Sequence, residues 1–156
     1  MQVSVILPCR NEEETIGRCI KTIKEVFKQN KINGEIIVSD SSTDNSPKIA
    51  KYLGAKLIKH DKIGYGNAYL EAFKHVKGKY IIMGDSDGTY NFEDIPRFLK
   101  ELKDYDLVLG NRFNGLIHKN VMRLLNRYIG NPVLALILRH FFKINNALLL
   151  FIVGVI

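Results

Sequence analysis

The 156-residue chain has no tryptophan, four prolines and two cysteines. Cys9 and Cys19 lie ten residues apart, with no C-x-x-C pair and no neighbouring histidine pair. That spacing fits neither a disulfide framework nor a zinc site, and reads as two reduced thiols. No run of eighteen uncharged apolar residues occurs, so no segment has the length of a membrane-spanning helix. Met1 to Pro8 lacks the basic flank and small-residue cleavage site of a signal peptide, and reads as the first strand of a cytoplasmic protein. Internal repeats, low-complexity tracts and linkers are missing too, which leaves a single domain over residues 1–156.

The most uneven absence is acid. All 16 Asp and Glu residues fall at or before Asp106, where they nearly balance the Lys and Arg residues. From Leu107 onward the charged side chains are Arg112, Lys119, Arg123, Arg127, Arg139 and Lys143, so the formal net charge of +7 resides almost wholly in the last third. Such a region suits phosphate or an anionic membrane face, or is simply a solvated basic helix. Nucleic acid is a poor match, because the basic stretch has no recognisable reader motif.

What is present is a regular alternation. Val3–Leu7, Glu35–Val38, Ala55–Ile58, Tyr80–Met83 and Asp106–Leu109 are strand-length runs with nearly continuous apolar character, as in strands buried on both faces. Between them, Ile16, Ile20, Ile23 and Phe27 recur at helical spacing behind Asn11 and three glutamates. Ser46-Pro47 before Ile49, Ala50 and Leu53 predicts a second helix capped by Ser46 and closed by Gly54. Ala68, Ala72, Phe73 and Val76 predict a third, and Ile95, Phe98, Leu99 and Leu102 a fourth. The order implies an α/β fold with a mainly parallel sheet and right-handed crossovers. Beyond Asn111 the pattern changes. Lys119 to Lys143 reads as helix interrupted at Gly130-Asn131-Pro132, and Ala147 to Ile156 is almost pure hydrocarbon.

In open parallel sheets, ligands bind beyond the carboxyl ends of the strands. Here those positions hold Pro8-Cys9-Arg10-Asn11-Glu12, Asp40-Ser41-Ser42-Thr43-Asp44, Asp61 to Gly66, Asp85-Ser86-Asp87-Gly88-Thr89 and Asn111-Arg112. Asp85 and Asp87, one residue apart in a turning loop, have the donor type that a hard divalent cation takes, and such a cation also bridges diphosphate oxygens. Aspartates in this pattern are also ordinary turn formers.

Taken in order, Pro8-Cys9-Arg10-Asn11-Glu12, Ser39-Asp40-Ser41-Ser42-Thr43-Asp44, Gly64-Tyr65-Gly66-Asn67-Ala68 and Asp85-Ser86-Asp87 resemble the family 2 glycosyltransferases of the GT-A fold. Asp87-Gly88-Thr89-Tyr90, Gly110-Asn111-Arg112-Phe113 and Asn126 to Pro132 are similar to the branch holding the dolichyl-phosphate mannose and glucose synthases. The resemblance implies a GDP- or UDP-hexose donor, a Mg²⁺ or Mn²⁺ cofactor and a polyprenyl phosphate acceptor. It further implies a protein peripheral on the cytoplasmic face of a membrane. It divides the domain into a nucleotide-sugar half, 1–112, and a basic, apolar, acceptor-side region, 113–156.

By the same resemblance, Pro8, Arg10 and Glu12 line the nucleotide pocket with Gly64 and Gly66, and Asp40 contacts the base. Asp85 lies near the ribose and the metal, Asp87 is the direct metal ligand, and Arg112 pairs with the diphosphate. Arg123 and Arg127, one helical turn apart, are candidates for the acceptor phosphate. Each role has a plainer competitor. Glu12 also suits a helix N-terminus, Asp44 a turn, Arg123 and Arg127 a solvated face, and the Gly64-Tyr65-Gly66 stretch the opening of a helix.

Three departures qualify the resemblance. Ser39 stands where many members have the first of two aspartates, and Thr89 where some have an amide metal ligand. After Asn145 the Asp-x-x-Ser-Gly-Phe type of segment is replaced by Asn146-Ala147-Leu148-Leu149-Leu150, so the acceptor side is expected to be incomplete. A non-catalytic remnant that binds nucleotide or membrane is therefore an alternative. A haloacid-dehalogenase-like phosphatase is another, since Asp85-Ser86-Asp87-Gly88-Thr89 matches its D-x-D-G-T motif. That family, however, carries the motif after its first strand.

Overall fold

The computed structural model describes residues 1–110. The elements are β1 (Val3–Cys9), α1 (Ile16–Gln29), β2 (Gly34–Asp40), α2 (Ser46–Tyr52), β3 (Lys56–Lys59), α3 (Tyr65–Phe73), β4 (Tyr80–Met83), a 3₁₀ turn (Phe92–Asp94) and α4 (Ile95–Glu101). The strands form one sheet of order β3-β2-β1-β4, and every pairing is parallel.

Central β1 is buried on both faces, with Val3, Val5, Ile6 and Leu7 all at 0% exposure. This is why its sequence does not alternate: a strand covered by helices on both sides has no polar face. The pleat sends Ile6 and its register partner Ile37 to one face, where Tyr69 and Ala72 of α3 pack on them. Val5, Leu7, Ile36 and Val38 take the opposite face. Right-handed crossovers account for the two layers. The chain steps from β1 to β2 to β3 in one direction with α1 and α2 on one side, then reverses past β1 to β4 with α3 on the other. The α1 stripe of Ile16, Cys19, Ile20, Ile23, Val26 and Phe27 is fully inward, and burying each large aliphatic side chain contributes roughly 1.5–3 kcal/mol.

Several local expectations are corrected. Asp106–Leu109 is not a strand: it pairs with nothing among the described residues and Leu107 is 56% exposed, so this apolar run is not buried on the sheet as the others are. The three glutamates do precede α1, as expected, since the helix begins at Ile16 behind Thr15. Ser46 does not cap α2. It is the first helical residue behind Asn45, and its hydroxyl accepts from Glu12 N at 2.9 Å. The third helix stops at Phe73, before Val76. The readings made for Lys119 to Lys143 and Ala147 to Ile156 lie outside the described residues. No helix among the described residues is long and apolar enough to cross a membrane.

Candidate functional site

The reversal of strand order falls between β1 and β4. The carboxyl ends of strands flanking such a reversal are the usual ligand position in open parallel sheets, and here the loop after β4 turns onto the start of α1, the helix that follows β1. Pro8, Arg10 and Glu12 lie at the end of β1, and Asp85-Ser86-Asp87 follows β4 by one residue. The fold therefore brings these two predicted segments together.

Ser86 joins them. It is 2% exposed, and its hydroxyl donates to the Pro8 carbonyl at 2.6 Å. Its own carbonyl accepts from Thr15 Oγ1 at 2.7 Å and from Cys19 Sγ at 3.5 Å. With the middle residue held inward by β1 and α1, the flanking aspartates point elsewhere: Asp85 is half-buried and Asp87 exposed. Asp87 Oδ1 accepts from Thr89 N at 2.9 Å and Thr89 Oγ1 at 2.7 Å, an Asx turn that Gly88 completes at φ +80°. Thr89 thus acts through Asp87, orienting its carboxylate.

Asp85 Oδ1 accepts from the Tyr65 hydroxyl at 2.8 Å. Tyr65 has one hydroxyl proton, so the 3.3 Å contact between the Tyr65 and Tyr69 hydroxyls is donated by Tyr69. The rings meet edge to face with centroids 5.0 Å apart. Burial raises both phenol pKa values above the ordinary range. Both tyrosines are neutral donors in this network. Gly64 at φ +117° precedes α3, whose first residues are Tyr65 and Gly66, so the Gly-Tyr-Gly stretch does open a helix.

The β1–α1 and β2–α2 loops are laced together by reciprocal bonds. Asn11, at φ 60°, donates from its backbone to Ser42 Oγ at 2.9 Å and accepts from Thr43 N at 2.9 Å through Oδ1. Glu13 N donates to Asp44 Oδ2 at 3.1 Å, and Asn45 N to Glu13 Oε2 at 3.0 Å. Asp44 is the turn residue its plainer reading expects. Slight burial opposes its ionisation, but donors from Ser46 and Glu13 outweigh that and hold its carboxyl below the ordinary range. Glu12 contributes its carbonyl to the start of α1, accepting from Ile16 N at 2.9 Å, while its carboxylate lies 3.2 Å from Thr15 Oγ1.

Asp40 is not an exposed loop carboxylate. It is the last residue of β2, fully buried, with Oδ1 accepting from Ser42 N at 3.3 Å. Its Oδ2 and His60 Nε2 are the buried side-chain polar atoms without a hydrogen-bond partner among the described residues. Arg10, Gly64 and Gly66 are exposed at the same carboxyl edge. Arg112, Arg123 and Arg127 lie outside the described residues.

The residues fit a divalent cation by donor chemistry. Mg²⁺ or Mn²⁺ is commonly held by one or two carboxylates, the remaining positions going to water and phosphate oxygens, and Asp85 with Asp87 supplies that set. No group of three or more metal-ligating side chains occurs among the described residues, so these two carboxylates would share the ion with its ligand.

The sequence profile of glycosyl transferase family 2 matches residues 4–155. The chain belongs to this family. It is 44% identical over 142 residues to the low-salt glycan biosynthesis hexosyltransferase Agl6 of Haloferax volcanii, covering 90% of this chain and 34% of the relative. It is 32% identical over 111 residues to the dolichyl-phosphate hexose transferase of the same organism, covering 70% of this chain and 47% of the relative. The chain thus spans between a third and a half of these relatives. The fold is GT-A. Glucosyl-3-phosphoglycerate synthase from Mycobacterium tuberculosis, crystallised with Mn²⁺, UDP and phosphoglyceric acid, superposes with a TM-score of 0.74 at 23% identity, over 99% of this chain and 54% of that one. Family membership displaces the phosphatase reading, and the position of Asp85 after β4 agrees.

Ser86, Thr15, Tyr65 and Tyr69 escaped the sequence reading as individuals. Ser86 gave no signal beyond being the middle residue of the Asp pair. The tyrosines, four apart behind a glycine, are a detectable helical pair, but nothing in their spacing names Asp85 as the partner.

Proposed function

We propose that this chain carries the nucleotide-sugar side of a metal-dependent hexosyltransferase acting on a GDP- or UDP-hexose, with a polyprenyl phosphate as acceptor. The observation that carries the reading is the seating of Asp85-Ser86-Asp87 on β1 at the sheet's switch point, where a diphosphate would meet two hard carboxylates. A bound Mg²⁺ or Mn²⁺ would neutralise charge developing on the departing diphosphate. Asp85 and Asp87 hold the ion, Pro8, Arg10 and Glu12 with Gly64 and Gly66 border the nucleotide, and Asp40, whose Oδ2 has no hydrogen-bond partner among the described residues, is assigned to the base. Arg112 is assigned to the diphosphate, and Arg123 and Arg127 to the acceptor phosphate.

The acceptor class follows from the chemistry of the last third. Between Leu107 and Ile156 the charged side chains are all basic, which suits a phosphate-bearing acceptor. A lipid phosphate would also need no general base, because its second pKa is about 6 and it is largely dianionic at neutral pH. Its oxygen forms the new bond to the anomeric carbon as the bond to the nucleoside diphosphate breaks and that group leaves with the electron pair. The similarity to the Haloferax volcanii dolichyl-phosphate hexose transferase supports this acceptor. The basic stretch would place the protein peripherally at the cytoplasmic membrane face.

Thermal-shift titration with UDP and GDP, with and without Mn²⁺, tests the donor side. Wild type is expected to gain Mn²⁺-dependent stabilisation from one of the two, Asp87→Ala to lose the metal-dependent part, and Asp40→Ala to bind about 10- to 150-fold more weakly with or without metal. Equal Mn²⁺-dependent shifts in wild type and Asp87→Ala would overturn the metal assignment. Hexose transfer to a short polyprenyl phosphate tests the acceptor, and transfer to a sugar hydroxyl alone would refute it.

A further inference from the structure

We propose that Tyr65 is a positioning residue that sets the Asp85 carboxylate for the cation and diphosphate, an inference resting on the reading of Asp85 and Asp87 given above. The side chain is 55% exposed, yet its hydroxyl is engaged at both ends, donating to Asp85 Oδ1 at 2.8 Å and accepting from Tyr69. Tyr69 is 4% exposed and belongs to the cluster with Ile6, Ile37 and Ala72, so the acceptor side of the relay is anchored in the core beneath β1 and β2.

The stretch leading to Tyr65 is also held. His60 Nδ1 donates to the Lys62 carbonyl at 3.0 Å, Asn67 Nδ2 to the Ile63 carbonyl at 2.9 Å, and Lys62 pairs with Glu71 one α3 face away. A tyrosine with two rotatable side-chain bonds, a packed ring partner and a fixed backbone is a rigid arm. Its reach ends on the first aspartate of the pair.

Asp87 obtains the equivalent service from Thr89, two residues on in its own turn. Asp85 precedes that turn and obtains it from α3, on the far side of the sheet's reversal. Each carboxylate of the pair therefore has one oxygen committed to a protein donor from a different element. Fixing both before ligand arrives removes an ordering cost from cation binding, the usual benefit of preorganisation.

The test is the Mn²⁺ concentration giving half-maximal stabilisation at saturating UDP or GDP, whichever binds. Tyr65→Phe keeps the ring and removes the donor. It should raise that concentration about tenfold, the lower end for a lost bond to a charged acceptor, and leave metal-free nucleotide affinity unchanged. In an Asp85→Ala background the same substitution should have no further effect. Melting of the unliganded proteins checks folding, and Tyr65→Leu serves as the second variant if Phe destabilises. An unaltered Mn²⁺ requirement in Tyr65→Phe, with Asp87→Ala having lost its metal response, overturns the proposal alone. An equal penalty with and without Asp85 also overturns it, because the effect then bypasses that carboxylate. An undiminished metal response in Asp87→Ala overturns the underlying reading and this proposal with it.

Discussion

Ser86 Oγ donates to the Pro8 carbonyl across 2.6 Å, tying the loop after β4 to the last turn of backbone in β1. Neither residue is assigned to the cation, yet the bond seats the loop that carries Asp85 and Asp87. Pro8 cannot donate, having no N–H, but its carbonyl is a full acceptor inside the sheet edge, and Ser86 satisfies it.

Ser86→Ala should therefore lower stability by about 1 kcal/mol, the cost of losing a hydrogen bond to a partly buried acceptor, as read from urea denaturation. It should also weaken Mn²⁺-dependent nucleotide binding, although no ligand contact is removed. A variant as stable as wild type with unchanged binding would show that the bond is incidental.

Gly84 stands one residue before Asp85 and is buried. A Cβ there would lie 2.7 Å from Cε1 of Phe92, itself 4% exposed and packed in the 3₁₀ turn. Gly84→Ala must push that ring, at a cost of about 1–3 kcal/mol for overpacking, and shift Asp85 with it. Pairing it with Phe92→Leu should recover part of the loss. Gly66 is the control, because a Cβ there meets nothing within 4 Å.

How much of this was legible in the residues differs by level. Strands β1 to β4 and helix α1 were readable because their apolar pattern reports burial directly, and the sheet's parallel order followed from alternation. The Asp106–Leu109 run carried the same signal and failed, since an apolar run reports a tendency to be buried and not which neighbour it pairs with. Family-like spacing located Asp85 and Asp87 in one loop, and the topology brought that loop to Pro8. The burial of Asp40 and the Tyr69–Tyr65–Asp85 relay were not readable. Both depend on contacts between segments about twenty or more residues apart, which no local periodicity encodes.

Cys9 and Cys19 are each 3% exposed, and burial raises both thiol pKa values above the ordinary range. Nucleophilic sulfur needs the thiolate, so both should be inert in the folded protein at pH 7–8. A thiol-reactive dye is expected to label neither in native buffer over minutes and both in denaturant. Rapid labelling of Cys19 in native buffer would mean that the Ser86 carbonyl contact opens readily.

The last expectation concerns pH and the brace behind Tyr65. Glu71 on α3 takes Lys62 on one carboxylate oxygen and Lys74 on the other. Hydrogen bonding from Lys62, then from Lys74, holds its carboxyl down to about 2 from an ordinary 4.5, and the same pairing raises Lys62. A carboxyl depressed on folding makes the unfolded chain the better proton binder across that interval. Its stabilising contribution is therefore fully present above about pH 4.5 and is lost as pH falls toward 2. The group is solvent-accessible, so the contribution is small and screened by salt. Melting of wild type and Glu71→Gln should differ most at pH 6 in low salt, and the gap should close both on acidification through pH 3 and on adding salt at pH 6. A gap that persists at pH 2.5, or that ignores salt, would mean that Glu71 acts through packing on α3 and not through its two lysines.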